Sequence, residues 1–353
     1  MLKYSIKRII LAFITAFIIL SLTFILVKSL GIADTTMGAK PGVRRAFFVD
    51  QMNLGYVFRV IQSAADPAPT QYGTPLFTYT TLDGKIEYYF ETPILEQYFH
   101  WIKNIFTKFD WGTSTSIEPG AHTVSIIAER LPVTMYINII SVVISVPMGI
   151  GLGIFAGLKK NTWIDHLIST LVMVFSSIPS FVIISFLMYT LCYQWNLLPS
   201  IWPVPSDSTK TKILAFIIPV MSLCFGPVCG YTRFVRAELC EVMSSEYLLL
   251  ARTKGLTKNQ AITRHALKNS FVPILPSILS EFIGIFFGSV ILEKLYGIPG
   301  VGDLYIRAIS EKDYNVLMVD CAIIVIVGLL AGIVFDLSYG FIDPRIRMGE
   351  KKA

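Results

Sequence analysis

Long apolar runs without a charged residue alternate with short polar segments along this chain. Ile9 to Val27 is the first such run, just after Lys3, Lys7 and Arg8. Leu131 to Leu158 is the second and closes on Lys159 and Lys160. The third starts at Leu167 and continues past Cys192 into a Trp- and Pro-rich stretch. Ile213 to Thr232 lies between Lys212 and Arg233. Phe271 to Leu292 is broken only by Glu281, and Cys321 to Phe335 reaches Ile342 with only Asp336 interrupting. A helix of about 20 apolar residues crosses the hydrocarbon core of a bilayer. The runs are long and continuous, unlike the short alternating segments of barrel strands. The pattern therefore predicts an all-α polytopic membrane protein with about six transmembrane helices. A signal peptide also begins with basic residues, but its apolar core is about 7–15 residues. The first run is longer than that and reads as a retained span.

Composition agrees. Hydrophobic residues make up 54% of the 353 and charged residues 15%, with a mean hydropathy of +0.62. Soluble domains carry about 25% charged residues. Residues 31–120 change character, mixing polar and aromatic residues with Pro67, Pro69 and Pro93. They predict a water-exposed segment with a structure of its own. The expected organisation is then 1–30 as the cytoplasmic N-terminus and first helix, 31–120 as an extracytoplasmic segment, 121–342 as a core of five helices, and 343–353 as a cytoplasmic tail.

Charge sets the orientation. With both termini inside, the cytoplasmic pieces hold Lys3, Lys7, Arg8, Lys159, Lys160, Arg233, Arg236, Arg252, Arg345 and Arg347, among others. The positive-inside rule favours that arrangement in the cell (cytoplasmic) membrane. Topology accounts for the net charge of +6, so the charge is no argument for a nucleic-acid partner.

Other chemistry is sparse. Cys192, Cys224, Cys229, Cys240 and Cys321 sit in or beside spans and predict apolar packing. The four histidines show no ligand spacing. The sequence has no convergent set of catalytic side chains, so no catalytic, cofactor or metal site is expected and the chain is read as a non-enzyme. Gly297, Gly300 and Gly302 superficially suggest a phosphate loop, but they follow no strand and read as a Pro-Gly turn. No G-x-x-x-x-G-K-[ST] occurs. Any ATP site must then belong to another polypeptide. Prolines in the spans read as tolerated kinks, with hinges for a conformational change as the alternative. Glu281 is the exception: an acid inside a span is costly and marks a functional candidate, either lining a translocation pathway or pairing with a partner subunit or a buried donor.

The most informative stretch is the loop 233–270. Tyr247, Leu250, Ala251 and Lys254 recur at helical spacing. Gly255 ends that helix, as a residue free to take positive φ does. Thr257 followed by Gln260 fits a capping box opening a second helix. Small and apolar residues at such a corner suit docking on a partner; an interfacial helix pair resting on lipid is the alternative.

These residues resemble a known family. Ala251, Gly255 and the spacing after them resemble the signature loop of ABC importer permeases. Glu246-Tyr247, Ala251-Arg252-Thr253-Lys254-Gly255-Leu256 and Arg264-His265-Ala266-Leu267-Lys268-Asn269 are similar to its dipeptide, oligopeptide and nickel branch. Further landmarks agree in order: Leu2-Lys3-Tyr4, Phe109-Asp110-Trp111-Gly112-Thr113-Ser114, Glu129-Arg130-Leu131-Pro132, Pro179 with Phe181, Glu293 with Tyr296 and Pro299-Gly300, and Asp343-Pro344-Arg345. The segment 31–108 matches least and is longer than usual. The resemblance implies a type I ABC importer permease fold and the first, B-type subunit of an oligopeptide permease pair. It implies coupling to ATPases through Glu246, Tyr247, Ala251, Lys254, Gly255, Leu256, Arg264 and His265. The implied partners are a second homologous permease, two cytoplasmic ATP-binding subunits and an extracytoplasmic peptide-binding protein. Nickel chelates or another small solute are alternative cargoes. An ion-driven secondary transporter is a rival, though it would need more intramembrane polar groups and repeated, broken helices.

Overall fold

A computed structural model describes residues 2–32 and 34–342. The tail motif Asp343-Pro344-Arg345 lies outside the described residues. In chain order the elements are α1 (Leu2–Lys28), α2 (Pro41–Asn53), β1 (Val57–Ser63), β2 (Phe77–Thr80), β3 (Lys85–Glu91), α3 (Ile94–Lys108), α4 (Thr123–Leu158), α5 (Trp163–Ser176) and α6 (Ser180–Leu187). After α6 a π-helical turn covers Met188–Gln194, followed by α7 (Thr209–Ala215), α8 (Ile217–Met243), α9 (Glu246–Thr253) and α10 (Lys258–Ala261). A second π-helical turn, Ile262–Ala266, leads into α11 (Leu267–Phe271), α12 (Leu275–Gly284), α13 (Val290–Tyr296), α14 (Val301–Ser310) and α15 (Tyr314–Ile342). The fold is mainly helical, as the apolar runs predict.

Among the described residues, four stretches are long and apolar enough to cross a membrane: Ile6–Lys28, Thr123–Leu158, Thr209–Met243 and Tyr314–Phe335. The third apolar run is a bent pair, α5 and α6, turned through 95°. Pro179 sits at the bend, where it cannot donate a helical hydrogen bond. The fifth run, 271–292, is also not one helix. Pro273 and Pro276 interrupt its start, and only α12 is a short apolar helix. The expectation of about six spans does not include these breaks, because hydropathy does not register where backbone hydrogen bonds stop.

The described residues fall into two compact units. One runs from Phe13 to Glu129 and includes Leu304–Ile326. Here the sequence reading of residues 31–120 gains a three-stranded antiparallel sheet in the order β1-β3-β2. Strands β2 and β3 are joined by a turn with Gly84 at φ 71°. Phe48 of α2 stacks on Phe77 at 5.0 Å, and both pack on Tyr89. Beneath them Glu87 is buried, taking a bidentate pair from Arg45 (2.7 and 2.9 Å), a bond from Arg59 (3.1 Å) and one from the Tyr89 hydroxyl (2.9 Å). The Arg45 hydrogen bonds outweigh burial and hold the Glu87 carboxyl below its ordinary value. In the same unit, Phe24 of α1 stacks on Trp101 of α3 at 4.7 Å.

A second knot in this unit joins distant chain segments. Asp313 Oδ2 accepts from the Ser114 hydroxyl at 2.6 Å and from the backbone N–H groups of Thr115, Ser116 and Ile117 at 3.0–3.1 Å. Successive N–H groups converging on one oxygen form an anion nest. Its occupant is the chain's own carboxylate.

The other unit comprises Arg130–Asp303 with the chain's first residues through Ala12 and residues from Val327 on. Helix α4 meets α8 along Gly149, Gly153 and Gly157, one residue per turn. A β-carbon at Gly149 would lie 2.9 Å from the Val228 carbonyl, and one at Gly153 2.8 Å from that of Thr232. Thr232 Oγ1 also donates to the Gly149 carbonyl at 3.2 Å. Lipid gives helices no hydrophobic reason to associate, so such close backbone approach is what holds them. Cys192, Cys224, Cys229 and Cys240 are buried, in keeping with their reading as packing residues.

Candidate functional site

Two places in the Arg130–Asp303 unit collect the residues singled out by sequence. The first is the loop after α8. Helix α9 stops at Thr253, and Gly255 turns the chain at φ +96°. The expected capping box is present: Thr257 Oγ1 accepts from Gln260 N at 3.3 Å and Gln260 Oε1 from Thr257 N at 3.1 Å. Helix α10, the π-helical turn and α11 then follow without a gap.

This helix pair is amphipathic across the turn. Leu248, Ala261, Ile262 and Ala266 are buried with Leu239 of α8, and Leu256 packs on them. The opposite side carries Glu246, Tyr247, Lys254, Arg264 and His265, all exposed, together with Leu249 and Leu250 at 63% and 55% exposure. Ala251 is half-buried. Of the eight residues expected to face a partner, six are therefore exposed, and Leu256 seats the loop. The α9 face expected from Tyr247, Leu250, Ala251 and Lys254 is the outward one. Leu248, which that spacing skips, is the inward anchor.

Beside this loop an ion pair was not legible in the sequence. Asp165, fully buried at the start of α5, accepts a bidentate pair from Arg236 of α8 (2.5 and 2.8 Å) and a bond from Asn161 N (2.9 Å). The Arg236 hydrogen bonds, first among its causes, lower the Asp165 pKa to about 2. Arg236 thus ties α8, the helix that feeds the loop, to α5.

The second place is a cavity of about 340 Å³. Glu281 lines it, with Asn138, Ser141, Ser145, Ser180 and Ser222. Both helix breaks border it. Ser180 begins α6 just past the Pro179 bend, and residues 285–289 form the interruption after α12. Asn138 Nδ2 donates to the Ile285 and Phe287 carbonyls at 2.9 and 3.0 Å, satisfying backbone that the interruption frees. Irregular backbone at membrane depth is tolerated where it lines such a cavity. Ser145 Oγ is buried and has no hydrogen-bond partner.

The glycine-rich segment after α13 has an internal explanation. Glu293, 3% exposed, accepts from Thr134 Oγ1 at 2.9 Å and from Asp303 N at 3.0 Å. Gly300 and Gly302 pass so close that a β-carbon on either would meet its carboxylate. One at Gly288 would lie 2.8 Å from Glu293 Oε1. The loop is wrapped around a side chain of its own. Burial, the leading cause, raises the Glu293 pKa.

Known proteins share this arrangement of sequence. A family model described as "Binding-protein-dependent transport system inner membrane component" matches residues 149–348. The dipeptide transport system permease protein DppB of Lactococcus lactis subsp. cremoris is 31% identical over 350 residues, covering 99% of this chain and 100% of the relative. DppB of Bacillus subtilis is 30% identical over 265 residues, covering 75% of this chain and 83% of the relative. The oligopeptide transport system permease protein OppB of Salmonella typhimurium is 30% identical over 268 residues, covering 74% and 83%. Among solved structures, a chain of the inward-facing MetNI methionine ABC transporter shares the fold. It has a TM-score of 0.50 at 15% identity, over 62% of this chain and 97% of that one.

Proposed function

The chain belongs to the family of binding-protein-dependent transport system inner membrane components, and on that premise we propose that it is a transmembrane permease subunit of an ATP-binding-cassette importer carrying oligopeptides across the cytoplasmic membrane. The observation that carries the peptide cargo is the match to a dipeptide permease over the whole length of both chains. The permease does no covalent chemistry. It moves between states that open a path to one side or the other, and separate ATP-binding subunits drive that change.

On this reading the α9–α11 loop faces the cytoplasm, both termini lie there too, and residues 31–120 lie outside. A second, homologous permease completes the path, and an extracytoplasmic peptide-binding protein delivers cargo. Tyr247, Leu249 and Leu250 supply an apolar face for an ATPase groove, with Glu246, Lys254, Arg264 and His265 around it. Leu256 and Ala251 pass the force inward, and Arg236–Asp165 makes the helices behind them move together. Glu281 and the serine-lined cavity form part of the translocation pathway.

Affinity purification of the tagged chain from native membranes tests the reading. ATP-binding subunits and a second permease should co-purify, and the complex in proteoliposomes should take up oligopeptides with ATP. Purification of the chain without an ATPase, or uptake driven by an ion gradient instead, would overturn it.

A further inference from the structure

The Glu281 cavity has a definite chemical character. Glu281 is the one charged residue among those described that line it; the rest are hydroxyls, an amide, glycines and apolar walls. Among the described residues no Lys or Arg lies within ion-pair distance of it. A carboxylate held among apolar spans without a cation loses hydration and receives nothing in return. Its surroundings show the same deficit. The buried hydroxyls of Ser145 and Tyr231 lack hydrogen-bond partners. Ser222 donates to the Ile218 carbonyl at 2.8 Å, which leaves its oxygen free to accept.

Together these groups want a ligand with one positive charge and several neutral hydrogen-bonding groups. A metal ion fits poorly, because a single carboxylate among serines is no ligand set, and the described residues contain no group of His, Cys, Asp and Glu that would hold one. An anion is repelled. The volume lies at the small end of ligand cavities, which suits a short, flexible chain end.

We propose that this cavity binds the protonated α-amino end of a peptide in transit, with Glu281 as the counter-charge and the hydroxyls of Ser141, Ser145 and Ser222 serving its first peptide groups. The proposal rests on the permease reading above and adds a filter to it: the membrane subunit itself reads the amino terminus. Side chains beyond the first residue or two are left unread, as befits an importer of varied peptides.

The test uses the complete complex in detergent, free of nucleotide and of binding protein, with tri-alanine and N-acetyl-tri-alanine as probes. Saturation-transfer NMR reports binding, and uptake of tri-alanine into proteoliposomes is measured in parallel. Tri-alanine should bind roughly tenfold more tightly than its acetylated form, the difference expected from one charge-assisted hydrogen bond. Glu281→Gln should remove that preference, and Glu281→Asp should retain part of it. Equal binding of the two peptides to the wild type, or binding of neither, overturns the amino-end assignment. If wild-type uptake persists in that case, the importer reading stands without it. Absence of ATP-driven tri-alanine uptake by the wild type would sink the importer reading instead. The comparison of peptides on the wild type decides the matter even if Glu281→Gln fails to assemble.

Discussion

The Thr134 hydroxyl donates to Glu293 Oε1 at 2.9 Å, and the same Oγ1 accepts from Val301 N at 3.1 Å. One threonine of α4 thus holds both the carboxylate and the loop that wraps it. Thr134→Val keeps the shape and removes the hydroxyl, leaving a buried carboxylate oxygen and a buried N–H short of a partner, at a cost of about 1–3 kcal/mol. Thr134→Ser should restore most of the loss. Gly300→Ala should be at least as damaging as Thr134→Val, since its methyl would strike both side chains. Thermal unfolding of the purified complex checks the order. A Gly300→Ala protein as stable as wild type would show that the loop is not held against Glu293.

Gly255 should behave differently, because nothing lies within 4 Å of a β-carbon built there. Its requirement is conformational, φ +96°. A β-branched residue pays roughly 1–3 kcal/mol of local strain at such a position. Gly255→Val is expected to insert normally and to retain ATPase binding. Uptake should fall by an order of magnitude or more while ATP hydrolysis continues. Uptake and hydrolysis falling in step would argue for lost assembly rather than lost coupling.

The α4–α8 contact can be tested by contrast. Gly153→Ala places a methyl against the Val235 side chain and the Thr232 carbonyl, whereas Gly230→Ala on α8 meets nothing within 4 Å. Overpacking of this kind costs about 1–3 kcal/mol. The first substitution should lower the melting temperature by several degrees and the second should leave it unchanged. Equal effects would mean that the two helices are not in backbone contact at this level.

Acid sensitivity should follow Asp165. Its folded pKa is about 2, below the ordinary value of about 3.9. The unfolded chain therefore binds this proton more readily. The stabilising contribution is complete above about pH 4 and is lost as pH falls toward the folded value. Asp165→Asn should weaken the complex at neutral pH and flatten the stability profile between pH 4 and 2. Glu293 contributes with the opposite sign: its raised pKa disfavours the fold above that value and is relieved on acidification. A profile in Asp165→Asn that still falls as steeply as wild type would place the acid-labile pair elsewhere.

What could be read from sequence was local. Gly255, Thr257 and Gln260 lie within six positions, so their turn and cap follow from neighbouring residues alone. The apolar runs likewise reported helices. What escaped depends on distance or on geometry. Asp165 and Arg236 are 71 residues apart, and nothing in either neighbourhood names the other. The break after α12 depends on Asn138, 147 residues before Ile285, to satisfy the freed carbonyls. Two further local signals in the sequence match the structure. Asp83-Gly84 between Phe77-Thr78-Tyr79-Thr80 and Lys85-Ile86-Glu87-Tyr88 is a hairpin pattern. Gly149, Gly153 and Gly157 repeat every four residues, the spacing of a close helix contact. Glu281 stood out because a charge inside an apolar run is conspicuous, but its cavity draws on helices from four parts of the chain.

The carboxylate seated at residues 114–117 has a consequence for biogenesis. The sheet and its flanking helices are contiguous in sequence, so they can take shape while later spans are still being synthesised. Ser114 and Asp313 are separated by 199 positions. Their bond cannot close until the chain through Asp313 has emerged from the ribosome. Until then the N–H groups of Thr115, Ser116 and Ile117 wait without their acceptor. That knot reports that synthesis has passed Asp313, and a membrane quality-control protease would find the same loop open in any chain truncated before it.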